Sequence, residues 1–72
     1  MPYTNEELEK LRAELPKGSA RKIASRAGFA VGTVRNVLSG LANNDTIILT
    51  ALEVIAENKI LQESAKKSIA AL

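Results

Sequence analysis

Between residues 15 and 40 of this 72-residue chain stand five cations, Lys17, Arg21, Lys22, Arg26 and Arg35, and no acid. The chemistry such a run offers is electrostatic: it suits a polyanion, phosphate above all. The acids lie to either side, Glu6, Glu7, Glu9 and Glu14 before it and Asp45, Glu53, Glu57 and Glu63 after it, so the net charge is only +2 although its distribution is uneven. Catalysis has less to work with. The chain holds no His and no Cys, so the commonest general base and the usual zinc and copper ligands are missing. Tyr3, a few Ser and scattered Glu make no nucleophile–base constellation. The expectation is a binding protein rather than an enzyme, with no metal, no cofactor and no small-molecule ligand.

These cations need elements to position them. The composition, 46% hydrophobic and 25% charged, is that of a globular domain and too apolar for disorder. Residues 1–72 make one domain, short enough for its monomer to be only marginally stable. Tyr3 and Phe29 are the aromatic residues, so the core must be aliphatic. Thr4-Asn5-Glu6-Glu7 reads as a capping box. Leu8, Leu11 and Leu15 follow on one helical face, and Pro16 stops that helix at Leu15. After Lys17-Gly18-Ser19, Ser19 is the expected N-cap of a second helix with Ala20, Ile23, Ala24 and Ala27 inward, ended by Gly28. A third helix turns Val34, Val37 and Leu38 inward and closes at Gly40. Leu41 to Asn43 form a loop, and Asn44 or Asp45 caps a fourth helix. Eight of the ten residues from Ile47 to Ala56 are apolar, which predicts cover on two sides. A break at Asn58-Lys59 and a fifth helix over about 60–72 complete an all-α reading of five short helices.

Ala20 to Ser39 is the most informative stretch. Two short helices meet across a glycine turn too tight for a hairpin, so they cross steeply. Small Ala24, turn Gly28 and β-branched Val34 recur at a characteristic spacing, and Ile23, Phe29, Val37 and Leu38 complete the expected buried set. The run Gly28-Phe29-Ala30-Val31-Gly32-Thr33-Val34-Arg35-Asn36-Val37-Leu38-Ser39-Gly40 resembles the helix-turn-helix of lac-repressor-type and related bacterial regulators. The order of elements resembles the lambda-repressor-like class, in which one helix precedes the motif and two follow. The sequence departs from the pattern at Ala30, where a Ser or Thr usually caps the recognition helix, and at Val31 and Gly32, where polar base readers are common. The resemblance implies a double-stranded DNA-binding transcriptional regulator of bacterial or phage type, most simply a repressor.

The same resemblance implies base contacts from Val31, Gly32, Thr33, Arg35 and Asn36. It implies phosphate contacts from Lys17, Ser19, Arg21, Lys22, Arg26, Ser39 and Asn43. A helical wheel supports part of this independently. With Val34 at the origin, Gly32, Asn36 and Ser39 fall about 140–200° away, opposite the buried side. Asn36 can pair bidentately with adenine, and Arg35 with guanine or a phosphate. Arg21 and Lys22 occupy the first turn of their helix, where cations oppose the dipole and a bound phosphate would reverse the penalty. Leu61, Ala65, Ile69 and Leu72 form a seam on the last helix that predicts a homodimer. The competing reading is a helical protein-interaction module, antitoxin-like or adaptor-like, that keeps the motif without base readout. No signal peptide is visible, and the densest apolar window is far shorter than the roughly 20 residues of a membrane span. A cytoplasmic protein with no membrane partner is therefore expected.

Overall fold

The computed structural model describes residues 3–72. It is all-helical, with α1 (Asn5–Glu14), α2 (Ser19–Ala27), α3 (Val31–Ser39) and α4 (Asp45–Ala70). Helix α1 opens with the capping box read from the sequence. Thr4 Oγ1 accepts from the Glu7 amide at 3.1 Å, and the Thr4 amide donates to Glu7 Oε1 at 2.9 Å. Leu15 leaves helical geometry at ψ 132, as the residue before Pro16 must. Asn44 caps α4, its side chain accepting from the Ile47 amide at 3.2 Å.

Four expectations need correction. There are four helices rather than five, because α4 runs unbroken through Asn58-Lys59. Neither residue lacks an amide or demands a non-helical φ, so nothing there stops propagation once the turns before it are packed. Ser19 is not the cap of α2 but its first residue. Gly18 stands at the cap without a side chain, and the buried Ser19 hydroxyl donates to the Pro16 carbonyl. Phe29 is 38% exposed and so lies outside the core. The turn carries its ring outward, while Val34 and Ile23 are fully buried beside α4. Helix α4 is not covered on two sides either, since Leu49 and Leu52 remain 61% and 49% exposed.

The core joins Leu8 and Leu11 of α1, Ile23 and Ala24 of α2, Val34, Val37 and Leu38 of α3, and Ile47, Ile48, Ala51, Val54 and Ile55 of α4. Each fully buried aliphatic side chain contributes about 1.5–3 kcal/mol. Helix α4 is the spine, packing on α1, α2 and α3. Its buried residues end at Ile55, while the helix continues to Ala70. That overhang stretches the molecule to 47 × 25 × 16 Å.

Candidate nucleic-acid interface

The site begins with the turn between α2 and α3. Gly28 sits at φ 81, and its amide donates to the Ala24 carbonyl at 2.9 Å. The Phe29 amide shares that carbonyl at 3.1 Å. A side chain at φ 81 would be strained, so glycine lets α2 end sharply and the chain re-enter a helix three residues later. Helix α3 then packs Val34, Val37 and Leu38 inward and turns Gly32, Thr33, Arg35, Asn36 and Ser39 to solvent. Val31, also expected at the bases, is half-buried and packed against the core.

Neither helix beginning has a side-chain cap, although the Ser19 amide at the start of α2 donates to the Pro16 carbonyl at 3.2 Å. The cap positions of α2 and α3, Gly18 and Ala30, make no side-chain hydrogen bond, and neither first turn holds an acid. Their first amides are therefore without a side-chain partner, and their positive dipole ends are uncompensated. Lys17 and Arg21 are exposed at the start of α2, and Arg35 on the outer face of α3. None of the three takes part in an ion pair among the described residues.

The remaining expected phosphate contacts divide. Arg26 is engaged by α4: its Nη1 and Nη2 donate to Glu57 Oε2 and Oε1 at 2.6 and 2.9 Å, and Glu53 stands 4.0 Å away. This bidentate bond holds the Glu57 carboxyl below its ordinary pKa and raises that of the Arg26 guanidinium. Lys22 leans the same way, 3.9 Å from Glu57. Ser19 is buried with its hydroxyl committed to Pro16. Ser39 and Asn43 are exposed at the far end of α3 and in the following loop. Lys17, Arg21, Lys22, Gly32, Thr33, Arg35, Asn36, Ser39 and Asn43 are thus exposed, while Arg26 and Ser19 are engaged by groups of the same chain.

Sequence reasoning missed Arg12. From α1 its guanidinium donates to the Leu38 carbonyl in the last turn of α3. Helix α3 has no basic residue in its own last turn, so this cation supplies the charge its negative end favours and holds the helix by its carboxyl end. The one signal in the sequence is that missing base, which does not say where the substitute comes from.

Two clefts lie between α1 and α4, of about 180 and 280 Å³. None of their lining residues belongs to α2 or α3. No group of metal-ligating side chains forms among the described residues, and no helix is long and apolar enough to cross a membrane. Comparisons with known protein families, curated proteins and solved structures find no match to this chain.

Proposed function

We propose that this protein is a sequence-specific double-stranded DNA-binding regulator. In this reading α2 and α3 act as a helix-turn-helix, with α3 in the major groove and the beginning of α2 on the phosphate backbone. The simplest consequence of such binding is repression by occlusion. The observation that carries the reading is the pairing of two uncapped, acid-free helix beginnings with unpaired Lys17, Arg21 and Arg35. Backbone amides at a helix start and nearby cations are what a phosphate requires. In this reading Asn36, which is exposed on α3, pairs with adenine, and Arg35, also exposed, pairs with guanine or holds a phosphate. Gly32, with nothing within 4 Å of the Cβ it lacks, allows a close backbone approach to the groove.

One helix, α1, precedes the pair and one, α4, follows it, one fewer than the resemblance implied. Titration of duplex DNA across a salt series tests the reading. Three to four phosphate contacts per protomer give a slope of log K against log salt of about −3 to −4. A slope near zero overturns it. That result would favour an interaction module instead, a reading supported by the half-buried Val31 and the side-chain-free Gly32 at positions where base readers are expected.

A further inference from the structure

In the DNA-binding reading the outer face of α3 meets the bases, but part of what holds that face lies on α1. At its beginning α3 has no side-chain cap. Along its length it is packed through Val34, Val37 and Leu38, and aliphatic packing is non-directional, so it opposes lifting more than sliding or turning. At its end the Gly40 amide reaches the Asn36 and Val37 carbonyls, and the Leu41 amide reaches the Asn36 carbonyl at 2.9 Å. The Leu38 carbonyl receives no backbone amide among the described residues. Arg12 Nη1 donates to it instead. Arg12 takes part in no ion pair among the described residues, so its cation is committed to this carbonyl. Four residues earlier on α1, buried Leu8 lies against the same helix end: a Cβ on Gly40 would stand 3.3 Å from Leu8 Cδ1.

We propose, on the strength of the DNA-binding reading, that Arg12 is a positioning residue for base readout: it fixes α3 along and about its own axis, and so sets sequence selectivity without touching a base. A guanidinium–carbonyl bond is directional and charge-assisted, which apolar packing is not. It ends on Leu38, two residues from Asn36 and three from Arg35, within one turn of both. A slip of α3 by one residue's rise, about 1.5 Å, takes both side chains out of bidentate reach of a base edge, because hydrogen bonds weaken beyond about 3.2 Å. Phosphate contacts do not feel that slip in the same way. Lys17 and Arg21 stand at the start of α2, which Arg12 does not hold, and phosphates carry no sequence information. Loss of Arg12 therefore costs selectivity rather than charge-driven affinity.

Arg12→Met, which keeps an unbranched stem and loses the donor, tests this against the unaltered chain. The probes are the duplex that the unaltered chain enriches from a randomised pool, and the pool itself, each titrated across a salt series. In Arg12→Met the ratio of the two affinities should fall about 5-fold or more, the loss of at least one base contact, while the salt slope holds. Val54→Ala, a cavity in the core of α4, is the control for stability: it should lower the melting temperature at least as far and leave the ratio unmoved. If Arg12→Met does not fold, Arg12→Lys carries the same expectation, since it keeps the cation but lacks the reach and the fork. An unchanged ratio overturns the proposal and leaves the DNA reading standing. So does equal weakening on both probes with a slope lower by about 1, which would make Arg12 a phosphate contact. A ratio that falls as far in Val54→Ala overturns it too, as an effect of stability alone. If the unaltered chain shows no salt-dependent binding to either probe, the DNA reading falls and the proposal with it.

Discussion

Arg21 and Arg26 share α2 but not a role. Arg26 closes a two-pronged bond to Glu57 across the α2–α4 contact, whereas Arg21 stands at the start of the helix, which has no side-chain cap. Arg26→Ala should therefore lower the melting temperature while leaving the salt slope of DNA binding nearly unchanged. Arg21→Ala should do the reverse: the slope falls by about 1, and the melting temperature holds or rises because a cation leaves the positive helix end. Paired thermal melts and salt titrations on both variants separate the roles. Asn36 tests readout. Asn36→Ala should lose about 1–3 kcal/mol on the preferred site and much less on random duplex, since phosphate contacts carry no sequence information. An unchanged ratio of specific to nonspecific affinity would remove Asn36 from the reading surface.

Helix α3 is held at one end and open at the other. Arg12 and the amides of Gly40 and Leu41 occupy the carbonyls of its last turn, while Ala30 leaves its first amides free. Ala30 already has cap geometry at φ −69 and ψ 149, so Ala30→Ser should stabilise the fold by about 1 kcal/mol in denaturant unfolding, without moving the backbone. Gly32→Ala should add up to about 1 kcal/mol of stability, since the new Cβ meets nothing within 4 Å. If DNA affinity drops in that more stable variant, close backbone approach at Gly32 is the reason. Gly40→Ala should act in the opposite direction. Gly40 sits at φ 87, and a Cβ there would lie 3.3 Å from Leu8 Cδ1. The left-handed conformation alone costs about 1–2 kcal/mol for a residue with a side chain, and the close contact adds to it.

Two carboxyls link the fold of the whole molecule to pH. Glu57 is held below its ordinary value of 4.5 first by its hydrogen bond from Arg26, and Glu7 first by its bond from the Thr4 amide. A carboxyl depressed in the folded state lends stability that is present above its unfolded value and lost as pH falls through the folded one. The melting temperature should thus hold level between neutral pH and about 5 and decline below 4.5. Glu57→Gln should flatten part of that decline while lowering the neutral-pH plateau, as a pH series of thermal melts will show. The same substitution would release Arg26 toward solvent, raising nonspecific DNA affinity and steepening the salt slope by up to about 1.

What the sequence determined by itself is whatever short-range physics decides. The Thr4 capping box, the stop before Pro16, the glycine end of α2 and the inward set of Val34, Val37 and Leu38 all depend on residues within a few positions of one another, and all stand in the structure. So do the outward positions of Thr33, Arg35 and Asn36, because a 3.6-residue period fixes one face once the other is buried. Tertiary structure alone decided which cations are spoken for. Arg26 meets Glu57, and Arg12 meets the Leu38 carbonyl, across separations in sequence that no periodicity reports. It also decided the length of α4. Asn58-Lys59 has the polarity of a break, but a helix nucleated by a packed half continues through residues that only weakly oppose it. Phe29 shows the limit most plainly: a large apolar side chain argues for burial, yet in the turn after Gly28 it remains 38% exposed. Local pattern says which residues can share a face. Which face is then covered, and by what, is settled only where the elements meet.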